Sequence, residues 1–251
     1  MIFSPLEQFE LVPILSIRIG SFDFSFTNAS LFIFFSLFFI LVFTNLVSFN
    51  GNGFLIPNRW QYVFESFFLF IENIVQENIG VKGQKYFSFI FCLFIFLLIC
   101  NTIGLVPYSF TVTSHFIVTF SLSILVWVGK LFIGFKHHGL KLFGVLLPSG
   151  IPFAIVPFFI IVEFLSFFIP LVALGVRLFA NIIAGHILLK VIVGFCWSII
   201  IIGGLFFLAH FIPMGVLFLL LFLETAVAFI QAYVFTMLAC LITGDIIKGG
   251  H

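Results

Sequence analysis

Arg177-Leu178-Phe179-Ala180-Asn181-Ile182-Ile183-Ala184-Gly185-His186 sets an arginine, an asparagine and a histidine inside residues 151–190, an apolar run whose other charges are Glu163 and Lys190. A helix of that length is about 60 Å long, twice the roughly 30 Å of a bilayer's hydrocarbon core, so it must tilt steeply or break. Pro152, Pro157 and Pro170 permit kinks. Spacing alone leaves one long tilted helix and two short ones both open. An arginine at bilayer depth costs about 2.5 to 3.5 kcal/mol on insertion scales, so Arg177 marks a functional position rather than a packing one.

Working outward, the 251 residues are 63% hydrophobic and 8% charged, against a charged fraction of about 25% in soluble domains. The chain reads as an all-α polytopic membrane protein. Its net charge of +1 and the lack of a basic cluster exclude nucleic acid as a partner, because phosphate binding needs several cations on one face. Cys92, Cys100, Cys196 and Cys240 lie scattered in apolar runs, which argues against a disulfide framework or a zinc site and for small buried hydrophobes. The 43 phenylalanines exceed what packing requires and point to codon bias in an AT-rich, organellar genome. Residues 1–22 have neither a signal-peptide nor a transit-peptide pattern.

We expect a single membrane domain over residues 1–251, with a first span within 24–49. Asn50-Gly51-Asn52-Gly53 and Pro57 end that span, and Asn58 suits the N-cap of the next segment. Over 58–80, Gln61, Glu65, Glu72 and Gln76 recur at helical intervals opposite Phe64, Phe67, Phe68, Ile71, Ile74 and Val75. That pattern predicts an amphipathic helix lying in the membrane interface. Residues 86–135 suit a two-helix hairpin, with spans near 87–106 and 115–135 joined where Gly104 and Pro107 interrupt them. Arg59, Lys82, Lys85, Lys136 and Lys141 fall on one side, which the positive-inside rule places in the cytoplasm or matrix, with the N-terminus opposite. Residues 149–248 hold the last two helical segments, with Gly203-Gly204 and Pro213 as weak points, and about five membrane helices result.

On a helix, Arg177, Ala180, Asn181, Ala184 and Leu188 share a face, and small residues on it let another backbone approach. Glu224, Ala228, Gln231, Ala232 and Phe235 form a second stripe of the same type, which predicts a shared lining. His186 points to the opposite side of its helix from Arg177, and Glu163 lies four turns before Arg177 on the same face. Glu163, His186 and Glu224 can exchange protons, as relays in membrane helices require, whereas Arg177 is a fixed positive charge. The bland reading of the same residues is a structural ion pair of Arg177 with Glu163 or Glu224. His210 reads as packed or interfacial, His115, His137 and His138 as loop or interface residues rather than metal ligands, and Lys190 as a cation snorkelling near a helix end.

These residues resemble subunit a (subunit 6) of F-type ATP synthase over nearly the whole chain. The resemblance is carried by Ser4-Pro5-Leu6-Glu7-Gln8-Phe9, Asn101-Thr102-Ile103-Gly104-Leu105-Val106-Pro107-Tyr108, Glu163 with Ser166 and Pro170, Arg177-Leu178-Phe179-Ala180-Asn181, Ala184-Gly185-His186, and Glu224 with Gln231 and Tyr233. It implies that the last two segments form a long, steeply tilted hairpin against a rotating ring of c subunits, and that this hairpin carries the proton path. It implies further that Arg177 separates two aqueous half-channels, that Asn181, His186, Glu224 and Gln231 line the one open to the proton-rich side, and that Glu163 and Asp245 line the other. Many bacterial members exchange the acid and the histidine between positions 186 and 224; the order here is similar to mitochondrial and α-proteobacterial subunits. The implied setting is the mitochondrial inner membrane, with a bacterial plasma membrane as the alternative. The implied partners are the c-ring, the peripheral stalk, other membrane-sector subunits, lipid and protons. ATP chemistry would reside on other subunits, with no cofactor or metal here. A proton-coupled secondary transporter and a purely structural membrane subunit are the competing classes; the absence of an internal repeat counts against the first.

Overall fold

A computed structural model describes residues 7–20, 22–48, 58–106, 109–139, 156–202 and 206–248. The turn at Asn50-Gly51-Asn52-Gly53, Pro57, Pro107, Lys141, Pro152 and the pair Gly203-Gly204 lie outside the described residues, as does the side chain of Glu163. Among the described residues six long helices dominate: α1 (Asn28–Ser48), α2 (Arg59–Asn78), α3 (Phe87–Gly104), α4 (Phe116–His138), α5 (Val156–Ile202) and α6 (Phe211–Lys248), with a single turn at Phe206–Ala209. Four segments among these residues are long and apolar enough to cross a membrane: Gly83–Gly104, Phe116–His137, Ile160–Ile201 and Phe211–Ile247. The 21 residues of α1, with an apolar portion Asn28–Val42, bring the number of apolar helices to five.

Both long helices answer the question that spacing left open. α5 is continuous over 47 residues with Pro170 inside it, about 70 Å of helix, so only a steep tilt fits it to a bilayer. A proline removes one backbone hydrogen bond, a loss that neighbouring helices in a membrane bundle can absorb. Pro213 falls in the first turn of the 38-residue α6, where backbone N–H groups have no helical partner in any case.

Ahead of α1 the sequence reading assigns no strand, yet a small nested ribbon forms there. β1 (Pro13–Leu15) pairs antiparallel with β4 (Phe26–Thr27), and β2 (Arg18–Ile19) with β3 (Phe22–Asp23) inside it. Gly20, at φ 65°, supplies the left-handed residue of the tip. The Ser25 hydroxyl bond and the Arg18 guanidinium, 3.6 Å away, hold the exposed Asp23 carboxyl below its ordinary value. Asn28, first residue of α1, ties the ribbon down: its Nδ2 donates to the Glu10 carbonyl at 3.0 Å and its Oδ1 accepts from the Val12 N–H at 3.3 Å.

The chain divides into two compact units. One takes residues Met1–Leu41, Phe96–Phe116 and Leu178–Ala232; the other takes Val42–Ile95, Ile117–Arg177 and Tyr233–His251. In the second unit, Ile71, Ile74 and Val75 form the buried face of α2. Phe64 and Phe68 meet Phe91 and Phe87 of α3 at ring distances of 5.4 and 4.5 Å. Asn58 caps α2, accepting from the Arg59 N–H at 2.7 Å. The Trp127 indole of α4 donates to the Phe167 carbonyl of α5 at 3.3 Å, and Lys130 Nζ lies 4.3 Å from the Phe167 ring centroid. In the first unit α1 lies on α3, where the Cys100 thiol donates to Ser36 Oγ at 3.6 Å.

Candidate functional site

The first unit brings four polar residues of α5 and α6 together. Asn181 Nδ2 donates to Gln231 Oε1 at 2.9 Å, and His186 Nε2 stands 3.7 Å from Glu224 Oε1. Later positions on α5 meet earlier positions on α6, so the two stretches run antiparallel. Gly185 makes room for the pairing, because a Cβ there would lie 2.8 Å from Glu224 Oε1. Asn101 fixes α6 between its two polar residues, donating from Nδ2 to the Ala228 carbonyl at 3.3 Å.

The two predicted stripes differ in what covers them. Glu224, Ala228, Gln231, Ala232 and Phe235 are all buried, at no more than 8% exposure. Arg177, Ala180, Asn181, Ala184 and Leu188 are all exposed, while Leu178 and Ile182 between them are buried. The stripe on α6 therefore faces protein, and the stripe on α5 is an open track of small residues beginning at the arginine. Despite that difference, Asn181, Ala184 and Leu188 of the one stripe line a hollow with Glu224 of the other, and Asn181 reaches Gln231 across them.

Neither carboxylate oxygen of Glu224 has a hydrogen-bond partner among the described residues. Both Glu224 and His186 line a cavity of about 770 Å³, together with Gln8, Asn28, Ser109 and Lys190. A second hollow of about 280 Å³ lies along Asn181, Ala184, Gly185 and Glu224. Space of this size far exceeds the ~10–15 Å³ that one water needs, and the polar groups on its wall can hold several. A buried acid 3.7 Å from an imidazole beside such a cavity is material for taking up and passing on a proton.

The other expected site residues lie in the second unit. Arg177 is exposed and has no ion pair among the described residues of that unit, and Asp245 is exposed on α6. Glu163 belongs to the backbone of α5. Lys190 is not near a helix end as expected: α5 continues to Ile202, and Lys190 is half-buried on the cavity wall. Gln8, Asn28, Asn101 and Ser109 were not picked out as site residues; Asn101 and Gln8 stand in quoted motifs, but only tertiary contact gives them a place. The four cysteines are free, and no group of three metal-ligating side chains occurs among the described residues.

Fold and site together define a polytopic α-helical membrane protein with a paired acid and imidazole at an open cavity. The profile of the family described as ATP synthase A chain matches residues 29–243, and the chain belongs to that family. It is 49% identical over 247 residues to ATP synthase subunit a of Chondrus crispus, covering 98% of this chain and 97% of the relative. The corresponding protein of Marchantia polymorpha is 45% identical over 251 residues, 99% of each chain. That of the bacterium Parvibaculum lavamentivorans is 42% identical over 247 residues, 98% of this chain and 94% of its own. Membership makes this chain a component of the ATP synthase membrane sector, with proton transport and ATP synthesis as its setting.

Proposed function

We propose that the chain is the stationary proton-conducting subunit of an F-type ATP synthase, working against a rotating c-ring. Protons reach Glu224 and His186 from the cavity, pass by Asn181 and Gln231 along the open track of α5, and neutralise a carboxylate of the ring. An ionised carboxylate is too costly to carry through hydrocarbon, so the ring site turns only once it is neutral. After rotation the ring site gives up its proton to an outlet that includes Glu163 and Asp245, before it meets Arg177. Each proton crossing about 100 mV supplies about 2.3 kcal/mol, and a permanent cation at position 177 keeps that energy from leaking past the ring.

The observation that carries this reading is the burial of Glu224 beside His186 on a cavity wall, with no hydrogen-bond partner for its carboxylate among the described residues. Support for the ring as partner comes from the exposed small-residue track that starts at Arg177, since small residues allow close helix approach. The peripheral stalk and other membrane-sector subunits complete the stator, ATP chemistry resides on other subunits, and the membrane is the mitochondrial inner membrane. Glu224→Gln tests the reading: proton-driven ATP synthesis by the reconstituted complex should fall by about 10²-fold, the usual scale for a lost proton-transfer group. Unchanged synthesis would remove Glu224 from the path.

A further inference from the structure

The segment Glu7–Phe9 belongs to the N-terminal part of the chain that the 29–243 family match does not include. Three observations place it at the cavity. Gln8 lines the same wall as His186 and Glu224. The ring of Phe9 stands edge-on to the His186 imidazole, with centroids 6.3 Å apart. The Nε2 of Gln8 is buried and has no hydrogen-bond partner among the described residues.

A buried amide donor left bare is costly, so a position like this one is stable when the donor faces water held in a cavity. The segment is also held in place: Asn28, which lines the same cavity, bonds the Glu10 carbonyl and the Val12 N–H just beyond it. On the same cavity, Glu224 presents two acceptor oxygens in the same situation. An amide donor and a carboxylate lining one cavity are two ends that a short file of water can join.

We propose that Gln8 is part of the proton inlet, ordering water that leads to Glu224, and that Phe9 seats the His186 ring beside it. This rests on the reading of Glu224 and His186 as the inlet. Gln8 remains un-ionised throughout; it orients the water through which protons pass.

The test uses the complete complex in vesicles and measures passive proton conductance of the membrane sector, divided by the amount of assembled complex. Gln8→Leu should lower conductance by about threefold or more, the scale of one lost hydrogen bond to ordered water. In Gln8→Cys, a charged, membrane-impermeant thiol reagent should block conductance beyond any effect on the unsubstituted chain, whose own four cysteines set the baseline. A merely structural role would not show this block within one assembled variant. If Gln8→Leu fails to assemble, the reagent block on Gln8→Cys decides alone. Normal conductance in Gln8→Leu, or a Gln8→Cys complex that the reagent does not block, would overturn the inference while leaving the inlet reading intact, provided Glu224→Gln is blocked. Normal conductance in Glu224→Gln would overturn both.

Discussion

His186 Nε2 lies 3.7 Å from Glu224 Oε1, and it does so from the opposite side of α5 to Arg177. Nine residues separate His186 from Arg177 on one continuous helix, and at about 100° per residue that is half a turn away from the same face. α5 thus presents its permanent cation outward and its titratable imidazole inward, towards an acid on α6. One helix serves two environments, the division that the proposed inlet beside a fixed barrier requires.

Gly185 is what lets that acid lie against α5. A Cβ at this position would stand 2.8 Å from Oε1 and 3.1 Å from the carboxyl carbon of Glu224. The end of a glutamate is mobile, so Gly185→Ala should displace the carboxylate rather than prevent folding. We predict wild-type amounts of assembled complex with proton conductance cut by about tenfold or more, the lower range of effects on proton-transfer groups. Equal conductance per complex would show that the carboxylate's position is immaterial.

The bond between Asn181 and Gln231 is a different case, since both groups are neutral. Interhelical bonds of this type in membranes average about 0.6 kcal/mol, with an upper value of about 1.7. A double-mutant cycle of Asn181→Leu and Gln231→Leu, read by unfolding in detergent, should return a coupling energy in that range. Additive losses would mean that the 2.9 Å contact contributes nothing to holding α5 and α6 together.

Gly244 has less room to yield. A Cβ there would lie 2.7 Å from the Asn78 carbonyl oxygen at the end of α2, and backbone cannot swing aside as a carboxylate does. Gly244→Ala should therefore destabilise the second unit by about 1 to 3 kcal/mol, the usual cost of overpacking. Loss of assembled complex on mild heating checks this; an unchanged midpoint would contradict it.

His115 gives a pH signature outside the membrane spans. It follows the turn Val112–Ser114, stacks on Phe110 with centroids 5.2 Å apart, and shares a shallow hollow with Glu7 and Glu10. Partial burial lowers its pKa below the ordinary 6.5. Below 6.5 the unfolded segment therefore binds more protons than the folded one, and local stability, complete above that value, declines as pH falls through it. Hydrogen exchange at residues 112–115, corrected for intrinsic rates, should lose protection between about pH 7.5 and 5.5, and His115→Gln should remove the effect. A pH-independent profile in the unsubstituted chain would contradict it.

Much of the fold was legible because length and apolar content dictate membrane helices directly. The polar intervals of Gln61, Glu65, Glu72 and Gln76 marked α2, and uninterrupted apolar runs marked α3 and α4. Which face of each helix meets protein was not legible. In a membrane chain an exposed Phe222 and a buried Ala232 are both apolar, so hydropathy cannot separate lipid-facing from packed positions. That is why two stripes of similar composition, at Arg177 and at Glu224, have opposite exposure. The ribbon from Pro13 to Thr27 was hidden for another reason: its strands are two or three residues long, and the Asn28 side chain anchors it. The acid, amide and imidazole groups of the site stood out as polar residues in apolar surroundings. Lys190 and Gln8 gained their places only through tertiary contact with the cavity.

Arg177 remains the residue on which the account turns. Exposed at the head of its stripe on α5, it is, in the function proposed above, the barrier that forces protons to travel with the ring. Arg177→Ala in the complete complex, reconstituted into vesicles, separates conduction from coupling in one preparation. With Arg177 as the barrier, proton-driven ATP synthesis should be lost in this variant while passive proton leak through the assembled membrane sector persists or rises. Sustained ATP synthesis at the unsubstituted rate would contradict it.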